Sequence, residues 1–209
     1  MHLSFISDTH SYHRQLTLGT GDVLVHCGDF TKHGALEDVE DFAQFIAAQD
    51  FTYKVVIAGN HDWCFEDERR LAAEECLAYY GIHYLNDSGI ELAGLKFWGS
   101  PIQPAFSNWA FNRKRGEEIR KHWDLIPKDT DILLTHGPAF GILDECYDGA
   151  KVGCEDLLEV VEQIQPKIHA FGHIHEEYGV HEYKSTLFVN ACSLDEYYEL
   201  RNPPIILTI

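Results

Sequence analysis

The chain has 209 residues, with 16 Lys and Arg against 34 Asp and Glu, a formal charge of −18, and 45% apolar side chains. That apolar content excludes a disordered chain, and 16 Gly and 7 Pro scattered without period exclude a collagen-like or low-complexity one. The charge argues against duplex nucleic acid or an anionic membrane as partner, since both need a basic face, although an acidic chain can still bind phosphate where metal ions reverse the local field.

The length suits one domain, expected over residues 1–209. In chain order, a short apolar run at 3–6 reads as a strand and ends at Asp8-Thr9-His10; a second at 23–26 ends at Gly28-Asp29. A helix is expected over 35–48, where Leu36, Val39, Ala43 and Ile46 recur on one face of a 3.6-residue period. A third strand at 54–58 ends at Gly59-Asn60-His61-Asp62, and a helix follows at 67–80. Residues 89–99 read as a hairpin turning at Ala93-Gly94, followed by a helix at 116–125. The strand at 132–135 ends at His136-Gly137, and Leu157, Leu158, Val161 and Ile164 mark a helix over 154–164. The strand at 168–171 ends at Gly172-His173-Ile174-His175, and further strands are expected at 178–183, 186–189 and 205–209. Strands alternating with helices early and strands dominating late indicate an α/β sandwich with more than one sheet.

Five polar clusters thus each end a different apolar strand. In open α/β sheets ligands bind beyond the carboxyl ends of the strands, so these clusters are expected to converge on one site. Singly, each has a plain alternative: Asp-x-His and Gly-Asp occur as Asx turns, Gly-Asn is a common turn dipeptide, and His173 and His175 could be surface residues. Together, Asp8, His10, Asp29, Asn60, His136, His173 and His175 offer oxygen and imidazole nitrogen without sulfur, a palette for Mn, Fe, Zn, Ni or Mg. Seven ligands are too many for one catalytic ion that keeps a position open; with one bridging carboxylate they suit two ions, the recurring arrangement for phosphoester cleavage.

These blocks resemble the five blocks of the calcineurin-like metallophosphoesterases over almost the whole chain. Residues 6–11 (ISDTHS), 28–31 (GDFT), 109–115 (WAFNRKR), 123–127 (WDLIP), 131–138 (DILLTHGP) and 202–206 (NPPII) are further similar to the metallophosphoesterase-domain-containing branch, also called class III phosphodiesterase-like. The resemblance implies two mixed β-sheets packed as a sandwich and flanked by helices. It implies that Asp8, His10 and His175 hold one metal, that Asn60, His136 and His173 hold a second, and that Asp29 bridges them. His61 would protonate the leaving oxygen or steady the phosphate, with Asp62 orienting its imidazole. A water shared by two Lewis acids loses its proton near neutral pH and becomes the nucleophile.

Other features carry less. His13 and His26 flank the blocks as candidate hydrogen-bond supports, His26 reading best as a satisfied core residue; His2, His33, His83, His122, His169 and His181 receive no role. The segment 101–116 groups Trp109, Asn112 and Arg113 and is a candidate substrate flap together with Asn60 and His61; the alternative docks Trp109 and Phe111 in the core. The loop 137–153 is a second candidate rim, with Phe140 and Tyr147 as stacking groups. The six cysteines form no C-x-x-C pair, no apolar run approaches a membrane span, and residues 1–7 do not resemble a signal peptide. Free thiols and a cytoplasmic location are expected. The leading expectation is a dinuclear phosphodiesterase, with manganese the favoured metal and small phosphodiesters such as cyclic nucleotides the substrates. A phosphomonoesterase or protein phosphatase with the same metals, and a weakly catalytic nucleotide-binding protein, are the alternatives.

Overall fold

A computed structural model describes all residues, Met1 to Ile209. Its strands are β1 (His2–Ile6), β2 (Gly21–His26), β3 (Phe51–Val56), β4 (His83–Tyr84), β5 (Ser88–Leu92), β6 (Leu95–Ser100), β7 (Gln103–Pro104), β8 (Asn112–Arg113), β9 (Ile132–Thr135), β10 (Ile168–Phe171), β11 (Gly179–Tyr183), β12 (Thr186–Asn190) and β13 (Ile205–Thr208). Four helices intervene: α1 (Leu36–Ala47), α2 (Arg70–Tyr79), α3 (Glu117–Trp123) and α4 (Glu155–Ile164). One sheet runs β13-β1-β2-β3-β4 and the other β11-β12-β10-β9-β6-β5. The inner strands of both are parallel, whereas β13, β11 and β5 pair antiparallel at or next to the edges. Both sheets are therefore mixed.

Strand alternation builds the layers. Leu3, Phe5, Val23, Val25 and Val55 of the first sheet meet Phe97, Ile132, Leu134, Ile168, Ala170 and Val189 of the second in a dry layer between the sheets. The other face of the first sheet (Ile6, Leu24, Val56) is covered by Val39, Phe42, Ala43 and Ile46 of α1, with Phe30 stacked on Phe42 at 4.3 Å. On the second sheet, Leu133, Phe171 and Phe188 are covered by Trp123 of α3 and Leu157 and Val161 of α4. Strands buried on both faces read as continuous apolar runs, which is why β1, β2, β9 and β10 stand out in the sequence.

The β5–β6 hairpin turns where expected, with φ 49° at Ala93 and 84° at Gly94, the two positive values of a type I′ turn. Strand β3 starts three residues earlier than its apolar run suggests, because Phe51 to Tyr53 join the ladder of β2 while residues 52–54 lie partly open to solvent. The pairs β7–β8 and β3–β4 are too short to leave a periodic signal. All six cysteines are unpaired, and no helix is long and apolar enough to cross a membrane.

Candidate metal centre

The loops after β1, β2, β3, β9 and β10 meet at one end of the sandwich. Asp8 N–H donates to Gly28 O and His10 N–H to Asp29 O, both at 3.0 Å, so the first two loops are laced together by main chain. Asp8, His10 and Asp29 in these laced loops, and His173 after β10, sit at φ 51°, 40°, 57° and 70°, a region costing non-glycine residues about 1–3 kcal/mol each and found mostly where function demands it. His26 supports both loops from below: its Nδ1 accepts Gly28 N–H at 3.2 Å, and Nε2 lies 3.0 Å from Thr9 Oγ1. Burial pushes its pKa down to about 3, so it is a neutral, satisfied core residue. His13 is buried, with its Nε2 2.9 Å from Asp41 of α1.

Around this frame the side chains converge. Asp29 Oδ1 accepts His61 N–H at 2.7 Å, while Oδ2 faces the Nε2 atoms of His136 (3.4 Å), His10 (3.8 Å) and His61 (3.9 Å). Asp8 Oδ2 accepts His173 N–H (2.9 Å) and the Cys192 thiol (3.3 Å), which leaves Oδ1 3.5 Å from His175 Nε2. His136 Nε2 also lies 2.9 Å from Asn60 Oδ1. Three histidines place Nδ1 against a main-chain carbonyl: His61 at Lys32, His136 at Cys27 and His175 at Asp195, at 2.7, 2.9 and 3.1 Å. Donating that N–H fixes the ring and turns Nε2 inward, as a metal-binding imidazole requires.

Asp8 Oδ1 and His10 Nε2 are buried and have no hydrogen-bond partner. Such orphans are rare in folded proteins, and a cation between them would account for both. Asp8, His10 and His175 bring their ligand atoms within 4.8 Å of one another, as do Asp8, Asp29 and His136, and His10, Asp29 and His61. The groups share members, so they form one centre, and the donors are those of divalent cations. His173 lies beside this centre, its ring 4.9 Å from that of His136.

The glycines of the blocks have a steric cause. A Cβ on Gly59 would sit 2.3 Å from Asp29 Oδ1, and one on Gly172 2.0 Å from Asp8 Oδ2. The carboxylates of Asp29 and Asp8 occupy that space.

Electrostatics follow from burial and proximity. Burial would raise the Asp8 and Asp29 carboxyls, but the surrounding histidines outweigh it and hold both well below the carboxylate range. Burial lowers His10 to about 4 and His173 to about 3. It would lower His136 as well, but Asp29 overcomes it and raises that ring to about 9.

Several expectations change. Asp62 makes no hydrogen bond to the His61 ring; its buried carboxylate accepts N–H groups from Asp29, Thr31 and Gly59, each at 2.9 Å, and the Thr31 hydroxyl at 2.7 Å. It staples one loop to the next, while Lys32 orients His61. In the 101–116 segment Trp109 stacks on His61 at 4.1 Å and lines a cavity of about 440 Å³ over the centre, whereas Phe111 is core. Asn112 and Arg113 do not line it: Asn112 Nδ2 donates to the Phe106 and Ser107 carbonyls, and Arg113 pairs with Glu66 at 3.0 Å. Arg115 lines it instead, and on the other rim Cys146 and Val152 do so rather than Phe140 and Tyr147. The sequence reading missed Tyr198, whose ring lies 4.8 Å from that of His175, and Cys192. It also missed His169, which lies 2.8 Å from the hydroxyl of Thr135, next to His136.

The chain is similar to known proteins. The chain is 38% identical to human metallophosphoesterase domain-containing protein 1 over 98% of its own length and 69% of that protein's. A solved crystal structure superposes with a TM-score of 0.71 at 16% identity over 99% of this chain and 98% of that one. TT1561 of Thermus thermophilus superposes with 0.63 at 11% identity, covering 90% and 88%; these two likenesses concern the fold. The family model described as calcineurin-like phosphoesterase matches residues 1–177, a span that takes in every block from Asp8 to His175, and the chain belongs to that family.

Proposed function

We propose that this metallophosphoesterase is a dinuclear metal-dependent phosphodiesterase acting on small phosphodiesters, cyclic nucleotides among them. One observation carries the reading: Asp29 Oδ2 is faced by three imidazole Nε2 atoms, the surroundings of a bridging carboxylate. Asp8, His10 and His175 would hold one cation and Asn60, His136 and His173 the other, with manganese the first choice and Fe, Zn, Ni or Mg the alternatives. When bound, such cations neutralise phosphate charge and acidify a water in the site.

The remaining steps belong to the chain. His61 presents Nε2 to the centre while the Lys32 carbonyl holds its far side, so it can deliver a proton to the leaving oxygen without being a ligand. Trp109 stacks on that ring and holds its plane. The cavity's one cation, Arg115, is tied to Glu155 and to the carbonyls of Val152 and Gly153, leaving it poorly placed for a second phosphate charge. This favours monoanionic diesters over dianionic monoesters.

The test is to strip the protein with chelator, restore Mn²⁺, and assay bis(4-nitrophenyl) phosphate, 4-nitrophenyl phosphate and the 2′,3′- and 3′,5′-cyclic nucleotides. Metal-dependent turnover with diester exceeding monoester is expected. No metal-dependent turnover of any of them overturns the enzyme reading, and a monoester preference overturns the diesterase one.

A further inference from the structure

The cavity above the centre has a lining that phosphate hydrolysis does not require. Three aromatic rings wall it, each seated on a different histidine: Trp109 on His61 at 4.1 Å, Tyr198 on His175 at 4.8 Å and Phe106 on His173 at 5.2 Å. Tyr198 is held there at φ 58° by a tight turn in which Asp195 Oδ1 accepts N–H groups from Tyr197 and Glu199. A strained aromatic pinned by such a turn is a built feature of the wall.

The charges and acceptors of this wall are one-sided. Glu176 and Glu196 line it and continue into an adjoining mouth lined by Glu145 and Glu177. The guanidinium of Arg115 is engaged with Glu155 and two carbonyls. Gln103, only 1% exposed, also lines the cavity, and its amide is oriented by its neighbours. Asn112 Nδ2 donates to two carbonyls, so Asn112 Oδ1 must accept from Gln103 Nε2 at 3.2 Å. Gln103 Oε1 is then a buried acceptor without a partner.

Aromatic faces, carboxylates and an unsatisfied acceptor, with the one lining arginine already engaged, are complementary to a positively charged group, since ring quadrupoles attract cations even at partly exposed sites. With the phosphate at the metal ligands, an ester arm that projects outward passes the rings and reaches the glutamates.

We propose that the cavity selects phosphodiesters whose alcohol arm carries an ammonium group. The proposal rests on the phosphodiesterase reading and narrows it. The probes are three 4-nitrophenyl phosphodiesters whose second arm is 2-(trimethylammonio)ethyl, its neutral isostere 3,3-dimethylbutyl, or carboxyethyl. Their non-hydrolysable phosphonate counterparts are titrated calorimetrically into the Mn²⁺-loaded protein. The ammonium arm is expected to bind about tenfold tighter than the neutral one at low salt, and the carboxylate arm weakest. The cation-to-neutral ratio is expected to shrink with added salt and to fall towards one in a Glu176→Gln/Glu196→Gln variant. Equal affinities for the ammonium and neutral arms overturn the inference, as does a ratio untouched by the double substitution. Turnover of the neutral diester is read separately. Its presence alongside equal affinities leaves the phosphodiesterase reading standing, and its absence alongside the expected affinity order overturns that reading while the cation subsite survives.

Discussion

The imidazole of His61 is held by the main-chain carbonyl of Lys32, 2.7 Å from its Nδ1, and not by the neighbouring carboxylate of Asp62. The two adjacent residues therefore do separate work. His61→Ala is expected to lower kcat by about 10²–10⁴, the range for losing a general acid, with metal content unchanged by elemental analysis. Loss of metal in that variant would make His61 a ligand. Asp62→Ala strands the N–H groups of Asp29, Thr31 and Gly59 in the interior. It is expected to cost at least about 3 kcal/mol in denaturant unfolding, and its activity should be lost through the displaced loops.

This division shows what a sequence can and cannot disclose. Asp8, Asp29, His136 and His175 were legible as candidates because each follows an apolar strand buried on both faces, and Asn60 because the last residues of β3 are buried; such strands deliver their C-terminal loops to one edge. The role of Asp62 was not, since adjacency to His61 says nothing about which way a carboxylate turns when three N–H groups compete for it. Trp109 and Arg113 looked alike in one basic-aromatic segment, yet the Glu66 carboxylate draws Arg113 away. Tyr198 and Cys192 lie after β12, where no block flags them, and reach the site through the bridge between Ser7 and Cys192 and the turn at Asp195. Strand β13 was recognisable as a strand, but its antiparallel pairing with β1 depends on contacts 200 or more residues apart in sequence.

Metal binding should expel protons. In the metal-free protein His136 is raised to about 9 by Asp29 against its burial, and His175 is raised by Asp8. His10 and His173, at about 4 and 3, are already neutral at pH 7.5. Calorimetry in buffers of different ionisation enthalpy at pH 7.5 is expected to show about one to two protons released per fully loaded centre. A histidine with a raised folded pKa contributes stability present below its unfolded pKa of about 6.5 and lost as pH rises through the folded value. The Tm of the metal-free protein should therefore fall between pH 6.5 and 9.5, while that of the loaded protein, where the metal replaces the proton, changes less. A flat metal-free profile would contradict the pairing of His136 with Asp29.

Asp29→Asn removes the charge facing three imidazoles. An amide cannot bridge two cations as a carboxylate does, so occupancy of both positions is expected to drop by tenfold or more at equal free metal, with activity lost by at least about 10³. Retention of one tightly held ion would assign the bridging role elsewhere.

The thiol of Cys192 holds Asp8 Oδ2 so that Oδ1 faces His10 and His175. Cys192→Ala is expected to weaken metal affinity about three- to tenfold without loss of fold, and Cys192→Ser, which keeps a donor, to restore part of it. Equal effects of the two substitutions would mean that packing, not the hydrogen bond, is what Cys192 supplies.

Gly59 and Gly172 offer the cleanest separation of fold from site. Neither has a positive φ, so alanine is compatible with both backbones, and the effect of substitution is steric alone. On Gly172 the new methyl would fall 2.0 Å from Asp8 Oδ2 and 2.1 Å from Ser7 Oγ; on Gly59 it would fall 2.3 Å from Asp29 Oδ1 and 2.5 Å from Asp29 N. Ser7 Cβ, 2.6 Å from the methyl on Gly172, and the main-chain Asp29 N beside Gly59 cannot swing away as a side-chain end can, so the loops themselves must shift, at about 1–3 kcal/mol. Gly172→Ala is expected to empty the Asp8–His10–His175 position first, and Gly59→Ala to affect both positions because it displaces the shared Asp29. Titration with Mn²⁺ followed by electron paramagnetic resonance counts the ions in each variant. If Gly172→Ala lost both ions with equal affinity change, Asp8 would belong to both positions, as its place in the group with Asp29 and His136 also allows.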